Sequence, residues 1–204
     1  VQEVDIVPMV KNCSKFSITI KDPLKIRFVL EKAIYFMNKG RKGPAWLDIP
    51  LDMQGAKIPD WDKLEPFIPP QEIFIDKKKI LDELYSTISS SERPLLLVGH
   101  GVRLAGADKE VKQLIENLKI PTVFTWNACD MLDYKNKFYI GKPGNVATRA
   151  ANFAIQTCTL FLSIGARLDN ITTAYNIKLF ARNASQKWVL DIDENQLNIC
   201  DLKD

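Results

Sequence analysis

Short apolar runs recur along the second half of this chain, and between them apolar residues fall at helical spacing. The pattern predicts a helix over about Lys77 to Ser89, then an apolar strand at Leu95 to Val98. A helix over about Asp108 to Leu118 leads to a strand at Thr122 to Trp126, followed by a loop region. A helix over about Val146 to Thr157, a strand at Leu160 to Ile164, a helix-like stretch over about Thr172 to Phe180 and a strand at Lys187 to Ile192 complete the series. Strands alternating with helices imply an α/β fold, a parallel sheet with helices on both faces. In such sheets ligands lie outside the carboxyl ends of the strands, so chemistry is expected at that edge.

The first half reads differently. "GRKGPAWLDIPLDMQ", Gly40 to Gln54, is a Gly/Pro turn feeding an apolar strand, Ala45 to Ile49, closed off by Pro50. Its uniform apolarity predicts a strand buried on both faces, which needs neighbours. Upstream there is one helix-like stretch, Pro23 to Asn38, with Leu24, Phe28, Ala33, Ile34 and Met37 near helical spacing, and one alternating run, Phe16 to Ile20. That is too little to cover the strand, so this half reads as a remnant of another α/β domain. Ile58 to Pro70 then holds four of the eleven prolines, a density that no helix or central strand tolerates. It predicts a linker whose Trp61, Leu64, Phe67 and Ile68 lie along a surface.

Composition narrows the class. With 46% hydrophobic and 26% charged residues in 204, the chain is globular. Its net charge of +3 is spread without a basic stripe, which argues against a nucleic-acid partner. Lys77-Lys78-Lys79 opens a helix whose apolar side is Ile80, Leu81, Leu84 and Ile88, the pattern of a solvated face. No apolar stretch is long enough for a bilayer and no signal segment opens the chain, so no membrane partner and a cytoplasmic location are expected. Cys13, Cys129, Cys158 and Cys200 form no C-x-x-C pair and read as buried free thiols.

At the strand ends, the first strand of the series runs into Gly99-His100-Gly101-Val102-Arg103-Leu104-Ala105-Gly106-Ala107. Glycines there let backbone amides approach a phosphate, and a helix from Asp108 would aim its positive end at the anion. The spacing is not G-x-G-x-x-G and no acidic residue ends the second strand, so a tight strand-to-helix turn explains the same glycines. Gly165-Ala166-Arg167-Leu168-Asp169 and Asp191-Ile192-Asp193 follow the next two strands. A guanidinium and carboxylates at adjacent strand ends either hold one another or hold the ribose and phosphate of a nucleotide. Gly141-Lys142-Pro143-Gly144 is a further turn able to face a phosphate. His100 is the one histidine, so a His-based metal cluster is excluded, and the acidic residues show no metal-ligand spacing.

Five segments carry a resemblance: "QEVDIVPMV" (Gln2 to Val10), "GRKGPAWLDIPLDMQ" (Gly40 to Gln54), "GKPGNVATRAANFAI" (Gly141 to Ile155), "GARLD" (Gly165 to Asp169) and "DIDENQL" (Asp191 to Leu197). In this order they resemble the large catalytic subunit of acetolactate synthase and its relatives among the thiamine-diphosphate-dependent enzymes. The resemblance implies that residues 1–57 are the C-terminal remnant of a pyrimidine-binding domain, 58–75 a Pro-rich linker and 76–204 most of a Rossmann-like middle domain, cut at its C-terminal end. It implies thiamine diphosphate and magnesium as cofactors of the full-length parent, whose proton-relay glutamate and G-D-G...N motif are not among these residues. This chain alone is then expected to be inactive, with no catalytic or metal-binding residue of its own. In flavin-containing members FAD lies over the middle domain. The matching positions here are Arg41, Gly99, His100, Gly101, Gly141, Gly144, Gly165, Arg167, Asp169, Asp191 and Asp193.

The implied activity is decarboxylation of a 2-oxo acid and transfer of the resulting carbanion to a second carbonyl, in a homo-oligomer. Three positions depart from the family pattern. Its G-M-H-G is Gly141-Lys142-Pro143-Gly144 here, its G-x-R-F-D-D-R is Gly165 to Ile171, and its P-K-D is Pro50-Leu51-Asp52. These departures leave open a related enzyme acting on a sugar-derived or other oxo acid. A non-catalytic nucleotide-binding module is the alternative from another class, and the orphan strand of the first half argues against it.

Overall fold

A computed structural model describes residues 4–71, 76–193 and 197. The chain divides into two compact units, Val1–Phe74 and Ile75–Asp204.

The first unit contains α1 (Ile6–Val10), β1 (Phe16–Thr19), α2 (Ile26–Asn38), β2 (Ala45–Asp48) and α3 (Leu51–Gln54). β1 and β2 pair in parallel, from Phe16 opposite Ala45 to Thr19 opposite Asp48. A parallel pair needs a crossover, which α2 supplies. A 3-10 turn, Pro23–Lys25, leads into it; Asp22 caps that turn by accepting from the Leu24 amide at 2.9 Å, and Pro23 sits where its missing N–H would have no partner in any case. α2 buries Val29 and Ala33, and its Phe36 stacks on Phe16 at 5.8 Å. Leu24, Ile34 and Met37, expected on the apolar side, are exposed. Among the described residues this sheet has two strands.

The proline-rich segment lies along α2. Arg27 Nη1 donates to the Trp61 carbonyl at 3.2 Å, Glu31 Oε2 accepts from the Phe67 amide at 2.7 Å, and the Phe67 ring meets Phe28 edge-on at 5.5 Å. Leu64 is buried, while Trp61 and Ile68 remain exposed. The Arg27 guanidinium, one helical turn away, and the Phe67 amide hold the Glu31 carboxyl below its ordinary range.

The second unit contains α4 (Lys77–Ser90), β3 (Pro94–Val98), α5 (Gly101–Leu104), α6 (Asp108–Leu118), β4 (Thr122–Phe124), β5 (Tyr139–Gly141), α7 (Arg149–Thr157), β6 (Leu160–Ile164) and β7 (Gln186–Leu190). The five strands are parallel, in the order β5-β4-β3-β6-β7. The β3 run is apolar throughout because both faces are covered. Leu96 and Val98 pack with Leu84, Val111, Ile115 and Phe124 on one face. Leu95 and Leu97 pack with Ala151, Ile155, Phe161 and Phe180 on the other. Ile115 and Phe161 are fully buried, and removing such a side chain from water is worth about 1.5–3 kcal/mol. α6 starts with Asp108 and Glu110 in its first turn, where the helix dipole favours them, and stops at Lys119 in the left-handed region ahead of Pro121.

Several expectations are corrected. The second strand of the series ends at Phe124, and Trp126 belongs to a 3-10 turn, Trp126–Ala128. β5 lies in the stretch expected to be loop, and α7 begins at Arg149 instead of Val146. No α-helix covers 172–180, which holds only a 3-10 turn, Ile177–Leu179. Ala174 and Tyr175 both take positive φ (53° and 59°), which a right-handed helix excludes. Ile80 and Leu81, expected on the apolar side of α4, are exposed, and Leu84 is the residue that α4 buries. Cys158 is buried, Cys129 is half-buried, Cys13 is exposed, and Cys200 lies outside the described residues. Among the described residues no helix is long and apolar enough to cross a membrane.

Two stability predictions follow from the core of the second unit. Ser163 is fully buried in β6 with no partner for Oγ, whereas the buried Thr122 hydroxyl donates to the Ile120 carbonyl at 3.0 Å. Ser163→Ala removes an unsatisfied polar atom and should raise the unfolding free energy by about 1 kcal/mol in urea titrations. Phe161→Ala should lower it by about 3–5 kcal/mol.

Burial pushes the Cys158 thiol up to about 11. The native state therefore keeps this proton where the unfolded thiol, ordinarily near 9.0, loses it. Stability is fully retained below that lower value and falls as pH rises from it toward 11. Cys158→Ala should flatten the urea midpoint against pH in that window; an unchanged slope would contradict the assignment.

Candidate functional site

The strand order reverses between β3 and β6: the chain runs outward from β3 to β4 and β5, then returns through α7 to β6. A parallel sheet ordinarily opens its ligand crevice at the carboxyl ends of the strands flanking such a point. The glycine turns after β3 and β6 meet here. A Cβ on Gly99 would stand 2.2 Å from the Gly165 carbonyl oxygen and from Ala166 Cα, and one on Gly101 would stand 2.7 Å from the same oxygen. The Gly99 amide donates to Ile164 O at 3.0 Å and the Gly101 amide to Gly165 O at 2.9 Å, while the Gly165 amide donates to Leu190 O at 2.8 Å. These glycines let two loops close on each other.

The remaining turns are equally committed. Gly141 takes φ 127° against Thr148, and Gly144 takes φ 113° with its Cβ position 2.1 Å from Ile171 O. The Gly144 amide donates to Asn152 Oδ1 at 2.8 Å. Asp169 Oδ1 accepts from the Thr172 amide at 2.7 Å and Asp191 Oδ1 from the Asp193 amide at 2.9 Å, each closing a local turn. Main-chain N–H groups able to cradle a phosphate are thus already donated at Gly99, Gly101, Gly144 and Gly165. These glycines do not fit the role of cradling a flavin diphosphate, and no step is assigned to that group.

Side chains remain. Arg167 is exposed beside the junction and has no salt-bridge partner among the described residues. His100 is half-buried, and its Nδ1 lies 3.0 Å from the Asn127 carbonyl. A carbonyl only accepts, so Nδ1 donates to it. Arg103 ties the loops after β3 and β4 together, donating to Asp130 Oδ1 at 3.0 Å, Asp108 Oδ1 at 3.4 Å and the Asn127 carbonyl at 3.4 Å. That pairing holds Arg103 above and Asp130 below its ordinary value.

The edge of the second sheet thus gathers Gly99, His100, Gly101, Gly141, Gly144, Gly165, Arg167, Asp169, Asp191 and Asp193, each in or directly after a strand of one parallel sheet. Arg41 belongs to the first unit, in the turn after α2, where its carbonyl accepts from Lys15 Nζ at 2.7 Å. An apolar cleft of about 300 Å³ in that unit, lined by Ile20, Pro23, Ile26, Ile49, Met53 and Ile58 among others, holds no charged group and suits no polar chemistry. Among the described residues no three His, Cys, Asp or Glu side chains stand together to hold a metal ion. Sequence reasoning missed Asn152 and assigned no role to Arg103. The only sequence signal for either was a polar residue near a glycine turn.

The family described as "Thiamine pyrophosphate enzyme, central domain" matches residues 81–200. The acetolactate synthase isozyme 2 large subunit of Escherichia coli (strain K12) is 29% identical over 199 residues, covering 97% of this chain and 35% of that protein. The acetolactate synthase large subunit of Porphyra purpurea is 31% identical over 200 residues, 94% of this chain and 33% of its own length. A probable acetolactate synthase large subunit of Methanocaldococcus jannaschii is 29% identical over 204 residues, 96% of this chain and 34% of its length. The chain thus spans about a third of the curated relatives it matches.

The closed junction predicts which glycines tolerate a side chain. Gly99→Ala should cost about 1–3 kcal/mol without any ligand, the range for overpacking. Gly55→Ala, where a Cβ finds ordinary contact at 3.6 Å, should be near neutral. Equal urea midpoints for the two variants would show that the junction is open.

Proposed function

We propose a function from one premise: the chain belongs to the thiamine pyrophosphate enzyme family and carries its central domain. It serves in an enzyme of acetolactate-synthase type that decarboxylates a 2-oxo acid and joins the product to a second carbonyl. The relatives named as acetolactate synthases match both units of the chain, and this observation carries the reading. It also favours an enzyme over a free-standing nucleotide module, which would need only the second unit. The same reading takes thiamine diphosphate with magnesium as cofactors, a homo-oligomer as the assembly and the cytoplasm as the compartment.

The cofactor supplies the carbon–carbon chemistry when bound. The chain's own residues bind and orient. The closed glycine junction gives a rigid floor at the sheet's carboxyl edge, and Arg167 offers a guanidinium to an anionic group there. The Asn127 carbonyl, which Arg103 also contacts, holds the His100 ring through Nδ1 at the same edge. Residues 1–57 are read as part of a pyrimidine-binding domain, 58–75 as the linker and 76–204 as the central domain. One observation favours a substrate other than the usual oxo acid. The fully buried Pro143 and its neighbour Lys142 occupy a turn whose family pattern is G-M-H-G.

Two measurements test this reading. Calorimetric titration of the chain with pyrophosphate should show binding that Arg167→Ala weakens about tenfold, the loss of one charge-assisted contact. Binding that ignores the substitution, or no binding by the wild type, would remove Arg167 from the site. Incubation with pyruvate, thiamine diphosphate and magnesium should release no carbon dioxide above a boiled control. Turnover would contradict the assignment of the catalytic groups outside this chain.

A further inference from the structure

Asn152 lies on the exposed side of α7, yet its side chain is fully engaged. Its Nδ2 donates to Gly144 O at 2.9 Å while its Oδ1 accepts from Gly144 N at 2.8 Å. A primary amide is the side chain that presents one donor and one acceptor side by side, matching the N–H and C=O of a single residue. The clamp reaches further than Gly144. With φ at 113°, that residue lies flat against Ile171 O, and the next amide, Asn145 N, donates to that oxygen at 2.9 Å.

Ile171 is the middle of the turn that follows Arg167. Its carbonyl also accepts from Ala174 N at 3.3 Å. Just upstream, Asp169 accepts from three groups: Thr172 N at its Oδ1, and Thr173 N (2.9 Å) and Thr173 Oγ1 (2.8 Å) at its carbonyl. Tyr175 N donates to Asn170 O at 2.7 Å. The loop contains two successive non-glycine residues in the left-handed region, Ala174 and Tyr175. Such a conformation persists only where surrounding contacts over-determine it. Among the hydrogen bonds of the described residues 169–176, that from Asn145 N to Ile171 O is the one that brings in a different segment of the chain, and Asn152 holds the peptide beside it.

We propose that Asn152 is a positioning residue: by clamping Gly144 it docks the 142–148 loop onto Ile171 and fixes the turn that directly follows Arg167 at the carboxyl edge. The functional half of this statement rests on the reading of Arg167 as the anion-binding group. The structural half does not.

Amide hydrogen exchange followed by NMR on the ligand-free chain tests it. In Asn152→Ala and Asn152→Asp, the Asn145, Thr172, Thr173 and Tyr175 amides should exchange about tenfold faster or more than in the wild type, while Leu96 in β3 keeps its protection. Asp keeps the acceptor but loses the donor, so Asn152→Asp separates the clamp from simple loss of volume. Equal exchange at Thr172 and Thr173 in all three chains, or acceleration spread evenly through the unit, would overturn the proposal. Pyrophosphate titration supplies the second arm. Asn152→Ala should weaken binding as Arg167→Ala does, and the double variant should lose no more than either alone. Additive losses would show that Asn152 does not act through Arg167. A wild type that fails to bind pyrophosphate would overturn the anion-binding role, with the positioning role still decided by exchange.

Discussion

Where the strand order reverses, the turn after β3 and the turn after β6 lie against each other through glycines. Gly99, Gly101 and Gly165 permit an approach that a single methyl group would block, since a Cβ on Gly99 would sit 2.2 Å from the facing backbone. Each amide in the contact finds an acceptor on a neighbouring strand or turn. The contact fixes β3 to β6 at their carboxyl ends. Both hydrophobic clusters include residues of these paired strands. Weak packing there would loosen the carboxyl edge of the sheet.

That contact also decides what kind of recognition the edge can perform. The glycine amides spent on intramolecular bonds no longer serve an anion, and Asp169 and Asp191 each commit one carboxylate oxygen, Oδ1, to their own turns. Beside these spent glycine amides stand side chains on a rigid frame: the exposed Arg167 guanidinium, and a His100 ring whose Nδ1 lies 3.0 Å from the Asn127 carbonyl. A guanidinium on a pinned turn loses less conformational freedom on binding than one on a mobile loop.

Much of this architecture is legible in the amino-acid order. β3 and β6 are readable because strands covered on both faces become continuous apolar runs. α6 is readable because Val111, Leu114, Ile115 and Leu118 keep helical spacing between an acidic first turn and a following proline. β5 escapes notice because it is three residues long, at a sheet edge, and ends in glycine. The stretch from Thr172 to Phe180 has apolar residues near helical spacing, but the left-handed Ala174 and Tyr175 obey tertiary hydrogen bonds that local preference does not reveal. The glycines stand out in the sequence, yet their partners are another turn far along the chain. Phosphate approach and backbone approach require the same residue. Asn152 gives only the weak signal of a polar residue near a glycine turn, because the clamp it makes is set by tertiary placement.

On the proposed reading the Arg167 side chain, and not the glycine amides, contacts an anion at this edge. Pyrophosphate titrated into isotopically labelled chain, with backbone amides and arginine Nε groups followed together by NMR, tests that directly. The account predicts a saturating shift at Arg167 Nε while the Gly99, Gly101 and Gly144 amides stay slow to exchange and shift far less. Shifts concentrated on those glycine amides, with Arg167 Nε unmoved, would contradict it.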